Sequence, residues 1–121
     1  MPFIAALSSD PEVREALREG FGAHAVATAR SWDRLLWLSR ERPITGVVLD
    51  SDALPRHVPA DATVGELRRR FPSLATVLVA RPHTDPLSLF RLGRAGIEGL
   101  VLLMADRPAD VTEALRDALR L

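Results

Sequence analysis

Apolar residues along the chain alternate between short runs of strand length and longer stretches spaced at three and four, and the alternation continues through all 121 residues. Strand 1 is expected over 3–7. Asp10 then stands ready to cap a helix, Pro11 suits its first position, Val13, Ala16 and Leu17 share one face, and Gly20 marks the stop. Residues 23–29 alternate small side chains with His24, Val26 and Thr28, which reads as an outer strand. Ser31 opens helix 2, whose stripe of Trp32, Leu35, Leu36 and Ser39 is widened by Trp37 and Leu38 and ends before Pro43. Trp37 is expected at the edge of the core. Strand 3 spans 44–49 and ends on Asp50, after which a long loop containing Pro55 and Pro59 covers 51–60. Helix 3 covers 61–71 with Val64, Leu67 and Phe71 inward, and strand 4 is 75–80. Thr84, Asp85 and Pro86 start helix 4, and Gly93 and Gly96 punctuate its end. Strand 5 is 99–103, and the last helix, 108–121, turns Val111, Ala114, Leu115 and Ala118 inward and Arg116 and Arg120 outward.

Strands that alternate with helices predict βα units around a five-stranded parallel sheet, doubly wound with helices on both faces, in order 2-1-3-4-5. Strands 3, 4 and 5 are nearly continuous aliphatic runs, as expected of strands covered on both faces. Ile4, Val47, Leu49, Val77, Val79, Val101 and Leu102 are therefore expected to be buried.

Composition leaves room for one domain, residues 1–121, with 47% hydrophobic and 26% charged residues. A chain of this size hides roughly two-thirds of its surface on folding, so a single core suffices without a disulfide or a structural metal. Cysteine is absent, which excludes thiolate nucleophiles, Cys-ligated zinc and iron–sulfur clusters, and fits a reducing compartment. The 16 basic residues balance 16 acidic ones, so the domain offers no electrostatic footprint for nucleic acid or an anionic membrane. No apolar run reaches bilayer-spanning length and the N-terminus lacks the features of a signal peptide, so a cytoplasmic location is the expectation. Every basic residue is arginine; the chain has no lysine.

In an open doubly wound sheet, ligands bind beyond the carboxyl ends of the strands, where strand order reverses. Those ends supply Ser8, Ser9 and Asp10 after strand 1, Asp50 and Asp52 after strand 3, Ala80 and Arg81 after strand 4, and Leu103 and Met104 after strand 5. No G-x-G-x-x-G, no glycine-rich turn with lysine and no G-x-S-x-G occurs, which removes dinucleotide, P-loop and common hydrolase readings. His24, His57 and His83 lack metal-ligand spacing and read as surface or strand-edge residues, so no metal or cofactor is expected. Arg68, Arg69 and Arg70 end helix 3, where they complement its dipole, and read as a solvated face rather than an anion site. Asp50 stands apart: a carboxylate ending an aliphatic strand costs desolvation unless it meets a cation or donors. On the residues alone, it either descends from a functional site or, with Asp52, caps the turn into the loop.

Five βα units in this length, with Val47-Val48-Leu49-Asp50 followed by Leu54-Pro55, resemble a response-regulator receiver domain. So do the run from Arg68-Arg69-Arg70-Phe71-Pro72 into strand 4 and Arg94-Ala95-Gly96-Ile97-Glu98-Gly99 leading into strand 5. The resemblance covers the whole chain and implies a flavodoxin-like fold. It also places Asp50 where the family's strand 3 aspartate accepts a phosphoryl group, with Asp52 the weaker candidate. The rest of that constellation departs from the family. Its Mg²⁺-holding acidic pair falls on Ser8 and Ser9, with Asp10 one step too far along; its strand 4 Ser/Thr falls on Ala80; its strand 5 lysine falls on Leu103. Phosphoryl transfer needs the metal and a cation to neutralise developing charge. The resemblance is thus to a degenerate, pseudo-receiver form with no catalytic residue.

Three functions follow as expectations. The leading one is a non-enzymatic regulatory module acting through protein contacts, as the N-terminal domain of a bacterial transcription regulator. The alternatives are a receiver still phosphorylated on Asp50, and a small-ligand binder in the crevice between strands 1 and 3. Many receivers pair through helix 4, strand 5 and helix 5, a surface that here carries Arg91, Arg94, Glu98, Asp110, Arg116, Asp117 and Arg120. Its mixed signs permit a two-fold homodimer.

Overall fold

Strand-forming and helix-forming segments settle into a five-stranded, all-parallel sheet of order β2-β1-β3-β4-β5. The structure, a computed structural model, describes residues 3–54, 60–82, 84–103 and 107–120, and only the backbone of 60, 88 and 89. The strands are β1 (Ile4–Leu7), β2 (Val26–Ala29), β3 (Gly46–Asp50), β4 (Ala75–Ala80) and β5 (Gly99–Leu102). The helices are α1 (Pro11–Phe21), α2 (Trp32–Glu41), α3 (Ala60–Arg70), α4 (Pro86–Ala95) and α5 (Pro108–Leu119). His57, His83, Pro55, Pro59 and Met104 lie outside the described residues.

Alternate side chains of β1, β3 and β4 feed two cores, because successive residues point to opposite faces. On one face Ala5, Leu7, Val47, Leu49 and Leu78 pack with Leu35 of α2, Val64 and Leu67 of α3 and Leu92 of α4. On the other, Ile4, Ala6, Val48, Val77, Val79 and Val101 meet Val13 and Leu17 of α1 and Val111 and Leu115 of α5. The α1–α5 seam is close-packed at Gly20, where a Cβ would run into the Thr112 methyl, while the Thr112 hydroxyl donates to Ala16 O at 2.9 Å.

Capping follows the sequence closely at two helices. Asp10 and Ser31 accept from Glu12 N and Arg34 N, and start α1 and α2. Elsewhere the structure corrects the expectations. Residues Ala23–Ala25 form a 3₁₀ turn, so β2 is shorter than the alternation suggested and His24 is an exposed turn residue. Gly93 lies inside α4, and Gly96, with φ of 96°, is the stop that a left-handed turn requires. Trp37 stands in solvent, 45% exposed, with the Arg34 guanidinium 4.1 Å above its ring. Leu102 is exposed rather than buried, as is Leu100. Both belong to β5, an edge strand that keeps only Val101 fully in the core.

An ion pair ties the start of β4. Arg68 donates to Leu74 O at 3.2 Å and to Glu98 Oε1 at 2.6 Å, while Glu98 Oε2 accepts from Thr76 N at 2.6 Å. Arg68 is therefore a tether between α3, β4 and the approach to β5, not a freely solvated side chain.

Candidate functional site

Register brings the carboxyl ends of β1, β3 and β4 side by side. Leu7 pairs with Leu49 and Asp50 with Val79, so Ser8, Asp50 and the residues after Val79 converge at the carboxyl end of the sheet. Asp50 is buried, with 2% of its surface exposed, and meets four donors. Its Oδ1 accepts from Asp52 N at 3.2 Å and from Arg81 Nε at 3.2 Å. Its Oδ2 accepts from Ser8 Oγ at 3.0 Å and from Arg81 Nη2. An ionised carboxylate offers about four lone-pair sites, so these donors saturate it.

Arg81 supplies the cation that a buried aspartate requires, and does so in the bidentate form that a guanidinium fork favours. Its third nitrogen reaches further: Arg81 Nη1 donates to Asp10 Oδ2 at 3.2 Å. Asp10 thus has two tasks, since its Oδ1 also caps α1 through Glu12 N at 2.9 Å. Its own N–H donates to Ser8 Oγ at 3.1 Å, closing a ring of contacts from Asp10 through Ser8, Asp50 and Arg81. The Arg81 guanidinium is held above its ordinary pKa, first by the hydrogen bonds to Asp50 and then by the charges of Asp50 and Asp10, with partial burial opposing. The turn that carries it is anchored as well. Arg81 N donates to Thr84 Oγ1 at 2.9 Å, Thr84 N returns a bond to Arg81 O at 2.9 Å, and the Thr84 and Ser51 hydroxyls lie 3.0 Å apart.

The sequence-derived positions fall as follows. Ser8 is inside the ring; Ser9 is exposed and makes no hydrogen bond among the described residues. Ala80 is fully buried and brings no polar atom to the site. Leu103 follows β5, donates its N–H to Ala80 O at 3.2 Å and packs its side chain against the core of the α1 and α5 face. Asp52 is exposed and contributes its backbone N–H to Asp50. Asp50 therefore both caps the turn Ser51–Ala53 and holds a cation, so the two readings left open from the residues coexist. Sequence reasoning did not assign Arg81. The signal available was a cation directly after strand 4, in the same set of strand ends as the carboxylates Asp10 and Asp50.

The interface candidates are dispersed. Arg91 and Arg94 are exposed on α4, Glu98 is engaged by Arg68 and Thr76, Asp110 accepts from Arg107 N at 2.8 Å at the start of α5, and Asp117 and Arg120 are exposed. Arg116 donates to Gly20 O at 2.5 Å and stacks on Phe21, so it is occupied at the α1 side.

A receiver-type Mg²⁺ does not fit these residues. Asp50 has its acceptor sites filled from within, Asp10 is shared between a helix cap and Arg81, and the positions where the family carries further ligands hold serine. No group of three or more His, Asp or Glu side chains arranged to hold a metal occurs among the described residues. Nor is any helix among them long and apolar enough to cross a membrane.

No protein-family model matches this sequence, and no curated protein matches it. Solved structures do. A response regulator from Thermotoga maritima superposes with a TM-score of 0.78 at 14% identity, over 100% of this chain and 99% of its own. An orphan response regulator of H. pylori gives 0.78 at 9% identity, covering 98% and 97%. A response regulator receiver domain protein from Clostridium thermocellum gives 0.77 at 16% identity, covering 99% and 95%. At these identities the likeness is one of architecture, and strand order, helix placement and near-complete mutual coverage agree in it: the chain has the flavodoxin-like fold of response-regulator receiver domains.

Proposed function

We propose that the chain is a pseudo-receiver: a non-enzymatic signalling module that acts through protein–protein contacts, as the N-terminal domain of a bacterial transcription regulator. One observation carries this reading. Arg81 places a guanidinium on Asp50 where a phosphoacceptor needs an accessible oxygen and a metal, and Ser8 and the Asp52 N–H take the remaining lone pairs. A carboxylate so saturated is a poor nucleophile and a poor metal ligand, and Ala80 and Leu103 supply neither hydroxyl nor ammonium to assist it. The same guanidinium fills the β1–β3 crevice with charge-paired contacts, which disfavours a small ligand there. Communication then passes through surfaces. The exposed Leu87 and Phe90 of α4 and Leu100 and Leu102 of β5 give the helix 4, strand 5 and helix 5 face an apolar component, which suits a self-associating or partner-binding surface. Neutral net charge leaves nucleic-acid contact to other segments. The test is incubation with acetyl phosphate and Mg²⁺ followed by intact-mass measurement. No phosphoryl adduct is expected. A single adduct that disappears in Asp50→Ala overturns the proposal and restores Asp50 as a phosphoacceptor.

A further inference from the structure

Away from Asp50, α3 and α4 leave a groove of 520 Å³ between them, lined by Asp61, Ala62, Gly65 and Arg69 on α3 and by Arg91, Arg94 and Ala95 on α4. We propose that this groove binds a small molecule carrying at least two phosphate groups. Three arginines and one aspartate line it, a local surplus of positive charge in a chain whose net charge is zero. None of the three arginines has a carboxylate partner among the described residues, in contrast to Arg68 and Arg81. Arg69 and Arg94 sit in the last turns of their helices, where the dipole accounts for them, but Arg91 is not in that turn. It stands three residues before Arg94, so the two side chains leave the same helix face. Guanidinium forks match phosphate oxygens two at a time, and the volume lies in the range of small-molecule sites.

The floor of the groove is open. Gly65 lies within α3, its φ is not positive, and a Cβ built on it meets nothing within 4 Å. A side chain at this position would project into the groove rather than against packed atoms. What glycine preserves is the open floor, flanked by Ala62 and Ala95, on which a ligand can approach the helices closely. Among the described residues no aromatic side chain lines the groove, so they offer no stacking platform of the kind that single-stranded nucleic acid uses.

The test uses inorganic pyrophosphate and the whole chain in titration calorimetry. Saturable one-to-one binding is expected. Gly65→Leu, which adds bulk to the groove without altering charge, should weaken it by about tenfold or more, as should Arg91→Glu combined with Arg94→Glu. Gly93→Leu is the matched control, because Gly93 is also unobstructed inside α4 yet does not line the groove, and it should bind as the wild type does. Thermal melting confirms that the variants fold. Absence of saturable binding, unchanged binding in Gly65→Leu, or a hexaglutamate peptide binding more tightly than pyrophosphate overturns the proposal. The test is independent of whether Asp50 is phosphorylated.

Discussion

Truncating Arg81 to alanine would strand a carboxylate that is 3% exposed in its side chain, without the cation that makes its burial tolerable. The expected loss is about 3 kcal/mol of unfolding free energy in urea titrations, and adding Asp50→Asn should recover more than half of it, since the neutral amide has no charge to compensate. The pH dependence separates arginine from a generic cation. A base whose folded pKa is raised above its unfolded value stabilises the fold fully below the unfolded pKa, and that contribution is lost as pH climbs through the folded one. For Arg81 that window lies above the ordinary arginine range, so the pair's contribution should be flat between about pH 7 and 10. Arg81→Lys should instead lose stability as pH rises past about 10, where lysine deprotonates. Asp50 was legible as an exceptional residue because a carboxylate ending Val47-Val48-Leu49 breaks an apolar rule. Its partner was not legible in the same way, since Arg81 meets it only once β4 lies beside β3 and a long side chain folds back across the strand ends.

At the scale of elements, two glycines inside helices make opposite demands. Gly20→Ala raises helix propensity by about 1 kcal/mol, yet its Cβ meets Thr112, which is fixed by its bond to Ala16 O, so net destabilisation is expected. Gly65→Ala meets nothing and should stabilise by about 0.5–1 kcal/mol, a contrast readable in paired melting curves. Periodicity in the sequence cannot distinguish these cases, because it reports which face of a helix is apolar and not how near the next helix lies. The same limit explains Leu102. Leu100-Val101-Leu102 reads as a buried run, but β5 sits at the sheet's edge, so one of its faces is left largely to solvent. The central strands were legible because coverage on both faces forces aliphatic continuity, and Asp10, Pro11 and Ser31 announced their helices through capping chemistry that acts within a few residues. His24 and its neighbours misled because small residues in alternation suit a turn as well as an outer strand.

For the whole molecule, the exposed Leu87 and Phe90 of α4 and Leu100 and Leu102 of β5 predict self-association. Phe90→Asp combined with Leu102→Asp should shift sedimentation towards monomer, while Arg14→Glu on α1 should not; a wild type monomeric at high concentration removes this face from the account. Arg116 is a poorer choice for such a test than its position on α5 suggested, because it already serves Gly20 and Phe21. The Arg81 bridge has a consequence of another kind. A bound ion leaves its site when its concentration falls, and a covalent adduct leaves when it is hydrolysed, but a guanidinium carried on the main chain has no concentration to fall. The compensation of Asp10 and Asp50 therefore survives dilution, dialysis and chelation alike, and only an opposing pull on the Arg81–Thr84 turn, or an anion able to outbid two carboxylates at once, can vacate that end of the sheet.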